Sequence, residues 1–150
     1  MENKKFFCEI TKSEMGYNED VFLYFSIMDE LCSVIAEIQI LDTEYKHYGD
    51  LIEIVYCIPD YEYRNINILE NIKGINPDKV YNTEKVLSNC DKTSILLYRA
   101  YSKSRIALHY FVEAYNDKRF NKLFNDENLT ILKNVMKFFL SRFYEINGVL

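Results

Sequence analysis

The stretch from Lys92 to Tyr115, KTSILLYRAYSKSRIALHYFVEAY, constrains the rest of the chain more than any other segment. At a helical turn of about 100° per residue, Lys92, Arg99, Lys103, Tyr110 and Glu113 share one narrow strip, and Leu97, Tyr101, Ser104, Leu108, Phe111 and Tyr115 lie opposite. So thin a polar strip predicts a helix covered on most of its circumference, a central core helix with other helices packed around it. Arg99, Lys103 and Arg105 fall mid-segment, where a bilayer span would need roughly 20 mostly apolar residues. Arg105 projects about 120° from the polar strip, inside the apolar arc. Its guanidinium must reach water past its neighbours or meet a carboxylate.

A chain of 150 residues can bury a real core without disulfides or metal. Hydrophobic content of 49% excludes a disordered tail, and only four glycines and two prolines argue for long regular elements over a turn-rich sandwich. The net charge of −5 is spread along the sequence with no basic stripe, which argues against a nucleic-acid partner. Cysteines stand alone at 8, 32, 57 and 90, and the two histidines are His47 and His109. That spacing suits neither zinc nor a disulfide framework and is read as reduced thiols in a cytosolic protein. The apolar run Phe6 to Cys8 is far too short for a signal-peptide core.

In chain order, residues 1–17 show no sustained period and form a lead-in, and residues 18–150 form a single helical domain. Asn18 with Glu19 and Asp20 marks a helix start, and Val21, Tyr24, Met28, Leu31, Cys32, Ile35 and Ile38 recur at helical spacing to about Leu41. Asp42 or Thr43 caps a second helix with Tyr48, Leu51, Ile52 and Val55 inward, stopped by Pro59. Gly49 within it is explained by close approach of another helix. A third helix carries Ile66, Leu69 and Ile72 and ends at Gly74 in a left-handed stop. Asn76-Pro77-Asp78 starts a fourth helix reaching Ser88, and Asp91 caps the central one. Asn116 or Asp117 begins a short sixth, with Phe120, Leu123 and Phe124 inward. Asn125-Asp126 opens a last helix striped by Leu132, Val135, Met136, Phe139, Phe143 and Ile146 and closed by Gly148. The prediction is an all-α bundle of about seven helices.

Reacting groups are scarce. The sequence has no phosphate-cradling glycine loop, no GxSxG and no HExxH, so neither catalytic nor metal-ligating residues are assigned and no cofactor is expected. His109 is read as a structural histidine at the core edge, and the acids Glu30 and Glu37 as solvated. Asn128-Leu129-Thr130 matches a glycosylation acceptor by chance in a cytosolic chain.

The order YGDLIEIV, then INILENIKGINPDKV, then the 92–115 helix, then NDENLTILKNVMKFFLSRF resembles the poxvirus Bcl-2-like family of small intracellular immune antagonists, over roughly Glu19 to Ile146. Scarce alanine, found at 36, 100, 107 and 114 beside abundant Asn, Ile, Lys and Tyr, suits an AT-rich viral genome. Relatives often carry tryptophan in the first helix and near the end of the central one, where this chain has Tyr24-Phe25 and Tyr110-Phe111.

The resemblance implies a Bcl-2-like bundle and a binding protein of the host cytoplasm, without enzymatic activity. Its expected partners are host signalling proteins whose silencing blocks NF-κB or interferon induction, with self-association through a second face. The alternative is the anti-apoptotic branch, which captures BH3 helices in a groove. In that branch Leu51, Ile52, Val55 and Tyr101 would line the trough and Arg105 would pair with the incoming acid. SKSRIAL matches the branch's NWGR-like motif at Arg105 only, with Lys103 and Ser104 replacing tryptophan and glycine. FYEING near the C-terminus is similar to a second region of that branch. Death antagonists usually end in a membrane-anchoring helix and this chain shows none, so the signalling branch is the expectation.

Overall fold

The computed structural model describes residues 5–8, 13–16, 19–58 and 66–150. Five α-helices dominate: α1 (Asp20–Leu41), α2 (Tyr48–Cys57), α3 (Thr83–Asn89), α4 (Lys92–Tyr115) and α5 (Asp126–Ile146). Single 3₁₀ turns at Ile66–Leu69 and Lys118–Phe120 stand where the third and sixth helices were expected. Within the lead-in, β1 (Lys5–Cys8) and β2 (Ser13–Gly16) pair antiparallel, with Lys5 opposite Gly16 and Phe7 opposite Glu14. Asn18, Pro59 and the tyrosine-rich stretch 60–64 lie outside the described residues.

The core is a layer of three long helices with α4 between α1 and α5, and α2 laid against α1. In α1 the buried residues Val21, Tyr24, Met28, Leu31, Ile35 and Ile38 advance in steps of three and four. The buried side of α4 does the same through Leu97, Ala100, Ser104, Ala107, Phe111 and Ala114. Two such seams facing each other are the pattern of helices packed at a shallow angle, and large residues on α1 against mostly small ones on α4 let the two backbones approach. Three of the chain's four alanines are spent on this face. Ser104 is fully buried and disposes of its hydroxyl on the Ala100 carbonyl at 2.7 Å. An edge ion pair, Lys103 to Glu30 at 2.6 Å, closes the α1–α4 seam, so Glu30 is not merely solvated.

Tyr24 ties one end of the bundle together. Its ring meets Phe111 at 5.6 Å and Phe124 at 5.2 Å, edge to face, and Phe111 meets Phe124 at 4.9 Å. Arg119 bridges Glu19 and Asp117, joining the start of α1 to the α4–α5 connection.

Helix ends follow local chemistry where it is strong. Asp91 accepts the Ser94 N–H and Asn125 accepts the Asn128 N–H, each at 2.9 Å. Gly148 takes φ 69° after α5, with its N–H on the Glu145 carbonyl at 3.1 Å and Val149 N–H on the Tyr144 carbonyl at 2.9 Å. Gly148→Ala should therefore cost about 1 kcal/mol, read as a lower urea midpoint at unchanged slope. The Asn128 side chain is buried and its amide donates to the Leu123 carbonyl at 2.7 Å, so the glycosylation match is closed to modification in the fold.

Other expectations fail for identifiable reasons. Asp42 does not cap α2; it turns inward to Arg142, which is partly buried, and α2 starts only at Tyr48, with His47 before it. Gly49 is exposed in the first turn of α2, with the Gln39 side chain 3.5 Å from where a Cβ would stand, so no helix presses on it. Gly74 does not adopt the left-handed conformation. Asn76-Pro77-Asp78 makes one turn, with Asn76 Oδ1 accepting the Asp78 N–H at 2.9 Å. The chain then leaves that turn so that Tyr81 stacks on Tyr144 at 4.6 Å and the Thr83 hydroxyl meets that of Tyr144 at 2.7 Å. A tertiary contact overrides a local helix start. None of α3's residues is buried.

Candidate functional site

Helix α4 is not enclosed. Ile95, Ile106 and Val112 keep 48%, 45% and 41% of their surface, and Arg99, Arg105, His109 and Glu113 are exposed beside them. The polar strip expected through Arg99 and Glu113 is present, but the open face is wider, and His109 lies on it rather than at the core edge. The difference has a physical source. Weighing residues by size and hydrophobicity turns the inner face toward Tyr101, Leu108 and Tyr115, whereas packing against α1 selects the adjacent small residues Ala100, Ala107 and Ala114. Tyr101 and Leu108 are consequently only half-buried and Tyr115 is exposed.

The expected trough residues part company. Leu51 and Val55 are fully buried and Ile52 is partly buried, on a helix that packs against α1 and makes little contact with α4. The Cys32 thiol of α1 reaches the Ile52 carbonyl at 4.0 Å. Tyr101 is half-buried on α4, and the Arg105 guanidinium lies over its ring at 5.3 Å. Tyr101 and Arg105 are thus together on α4, while Leu51, Ile52 and Val55 stand on α2, where Leu51 and Val55 are fully buried. Arg105 resolves its anomalous position by being exposed.

A largely buried charge centre, absent from the sequence-based expectations, joins the loop after α1 to α5. Asp42 accepts from Arg142 Nε at 3.1 Å and from Nη2 at 2.9 and 3.0 Å, and from the Tyr48 hydroxyl at 2.5 Å. The side chains of Asp42 and Arg142 retain 7% and 13% of their surface, and the Tyr45 ring lies 5.8 Å from the guanidinium carbon. Burial pulls the Asp42 carboxyl upward, but the Tyr48 hydroxyl and Arg142 outweigh it and hold it below its ordinary range. Burial and then the Asp42 hydrogen bond push the Tyr48 hydroxyl well above its usual value, and burial is the main cause that lifts Tyr45 to about 12. Both tyrosines stay neutral near pH 7. A signal exists in the sequence: Arg142 stands on α5 in the middle of the arc formed by Val135, Phe138 and Phe139, a stranger place for a cation than that of Arg105.

Arg142 also borders a cavity of about 460 Å³ between the α1–α2 connection, residues 67–73 and α5. Ser141 anchors the middle wall, donating to the Lys73 carbonyl at 2.7 Å. Cys32, Cys57 and Cys90 are free thiols, and burial lifts that of Cys32 to about 12, which removes its nucleophilicity near neutral pH. Among the described residues no group of three or more His, Cys, Asp and Glu could hold a metal ion, and no helix is long and apolar enough to cross a membrane. Compared with known families and curated proteins, the sequence matches no family model and no curated protein.

Proposed function

We propose that this protein is a viral, Bcl-2-like immune-evasion module that docks host innate-signalling proteins through the open face of α4 and so suppresses NF-κB or interferon induction in the host cytoplasm. The observation that carries this reading is the set of half-exposed Ile95, Ile106 and Val112 interleaved with Arg99 and Arg105 on one long helix. Apolar residues set among arginines are the composition of a protein contact, since arginine serves interfaces while isolated surface hydrophobics have no such neighbours. The partner class is drawn from the sequence resemblance alone, the order of YGDLIEIV, INILENIKGINPDKV, the 92–115 segment and NDENLTILKNVMKFFLSRF.

The test is a reporter assay in cells expressing the full chain. Wild type should lower induction by several agonists, and Ile106→Lys should lose most of that inhibition while melting within a few degrees of wild type, because residue 106 is half in solvent. Unchanged induction by the wild type across agonists rejects the proposal.

BH3 capture is the second reading, and the packing of α2 weighs against it. Leu51 and Val55 are fully buried and would have to be uncovered before a helix could lie on them. Calorimetry against BH3 peptides should be silent. Micromolar binding abolished by Arg105→Glu would move the assignment to that branch.

A further inference from the structure

We propose that the cavity beside Arg142 is a receptor for a carboxylate carried on a small apolar body, with Arg142 Nη1 as its anchor. The site is separate from the open face of α4, and neither reading depends on the other.

The guanidinium is committed on two of its three corners. Nε and Nη2 bind Asp42, and the Tyr45 ring lies 5.8 Å from the central carbon. The remaining corner, Nη1, has as its nearest ion partner Glu145 Oε1 at 3.8 Å, beyond hydrogen-bond reach. No buried side-chain nitrogen or oxygen among the described residues lacks a partner, so Nη1, which makes no hydrogen bond to them, is accessible to solvent, and Arg142 lines the cavity. What results is a cation held by Asp42 on two corners in the wall of a concave site, with the third corner out of hydrogen-bond reach of its nearest acid. An arginine held in this way loses little further entropy on taking a second carboxylate.

The walls define the rest of the ligand. Ile68, Ile72 and Phe138 supply apolar surface, Asn71 adds an amide, and Lys73 adds a second cation, whose ammonium donates to the Leu150 carbonyl at 3.4 Å. About 460 Å³ suits a group of aromatic-acid size and is too small for a folded element. Among the described residues Glu145, whose side chain is 45% exposed, is the one acid lining the site, and it competes with an incoming carboxylate for Nη1. Two sources carry this chemistry: a free carboxylic acid, or an acidic side chain next to an apolar one in a partner's peptide.

The experiment is amide-shift titration of the full chain with phenylacetate, neutral phenylacetamide and the blocked dipeptide acetyl-Phe-Asp-amide. Saturable shifts confined to residues 45–47, 67–73 and 138–145 are expected for at least one of the two carboxylates and none for phenylacetamide. Saturation by phenylacetate identifies a small-molecule site, and saturation by the dipeptide alone identifies a peptide's acid. Substituting Arg142 would unsettle the fold, so the decisive variant is Glu145→Gln. It removes the competitor from an exposed position and should tighten binding about two- to five-fold, the effect of deleting one solvent-exposed charge contact. Equal shifts from phenylacetamide, no saturation by either carboxylate, or unchanged affinity in Glu145→Gln would each overturn the proposal.

Discussion

Arg142→Met is expected to lower stability by about 3–5 kcal/mol at neutral pH, because it strands the buried Asp42 carboxylate without its cation while leaving methionine to fill most of the space. The double variant Asp42→Asn with Arg142→Met should regain a large part of that loss, since a neutral amide can still accept from the Tyr48 hydroxyl. The pH dependence has a definite sign. In the wild type the Asp42 carboxyl is raised by burial but lowered more by Tyr48 and Arg142, ending below its ordinary value. A depressed folded-state value contributes stability that is complete above the unfolded value of about 3.9 and is lost as pH falls through the folded one. Wild type should accordingly lose this contribution below about pH 4. In Arg142→Met burial acts unopposed by the cation, the carboxyl rises, and the deficit relative to wild type should shrink in acid, where both proteins carry a protonated Asp42. Urea midpoints at pH 7 and in acid would measure both effects.

Ala107→Leu should cost about 1–3 kcal/mol, whereas Ile106→Ala, one residue away, should stay within about 0.5 kcal/mol. Ala107 is fully buried on the seam facing α1, and the added carbons would have to push the two helices apart or force neighbouring side chains off their rotamers. Ile106 is 45% exposed, outside that seam. A reversed order of the two effects in urea unfolding would mean that α4 is rotated from the orientation described.

Features written in consecutive residues are legible in the sequence alone. The α1 seam from Val21 to Ile38, the α5 stripe through Leu132, Val135, Phe139 and Phe143, the caps at Asp91 and Asn125, and the Gly148 stop all rest on spacing or on side chains within a few residues of the backbone they bind. The orientation of α4 is harder to read, because its buried seam is made largely of alanine and serine, which carry little hydrophobic weight and are chosen for the room they leave. For long-range polar contacts the sequence can flag one member, as Arg142 in the apolar arc of α5, but not its partner. Asp42 and Arg142 are separated by 100 residues, and only the folded bundle makes them neighbours. The same bond explains why the loop after α1 runs on to His47 and does not begin α2 at Thr43. At the candidate site, Arg105 and Tyr101 do stand together, whereas Leu51 and Val55 are fully buried on α2 and Ile52 beside them is partly buried.

Carbene footprinting of the purified chain at dilute concentration, resolved to single residues across 92–115, addresses the open face of α4 itself. Labelling should be strong at Ile95, Arg99, Ile106 and Val112 and weak at Leu97, Ala100, Ala107 and Phe111. Protection all round the helix would show it enclosed by its neighbours and would remove the surface on which the proposed docking rests.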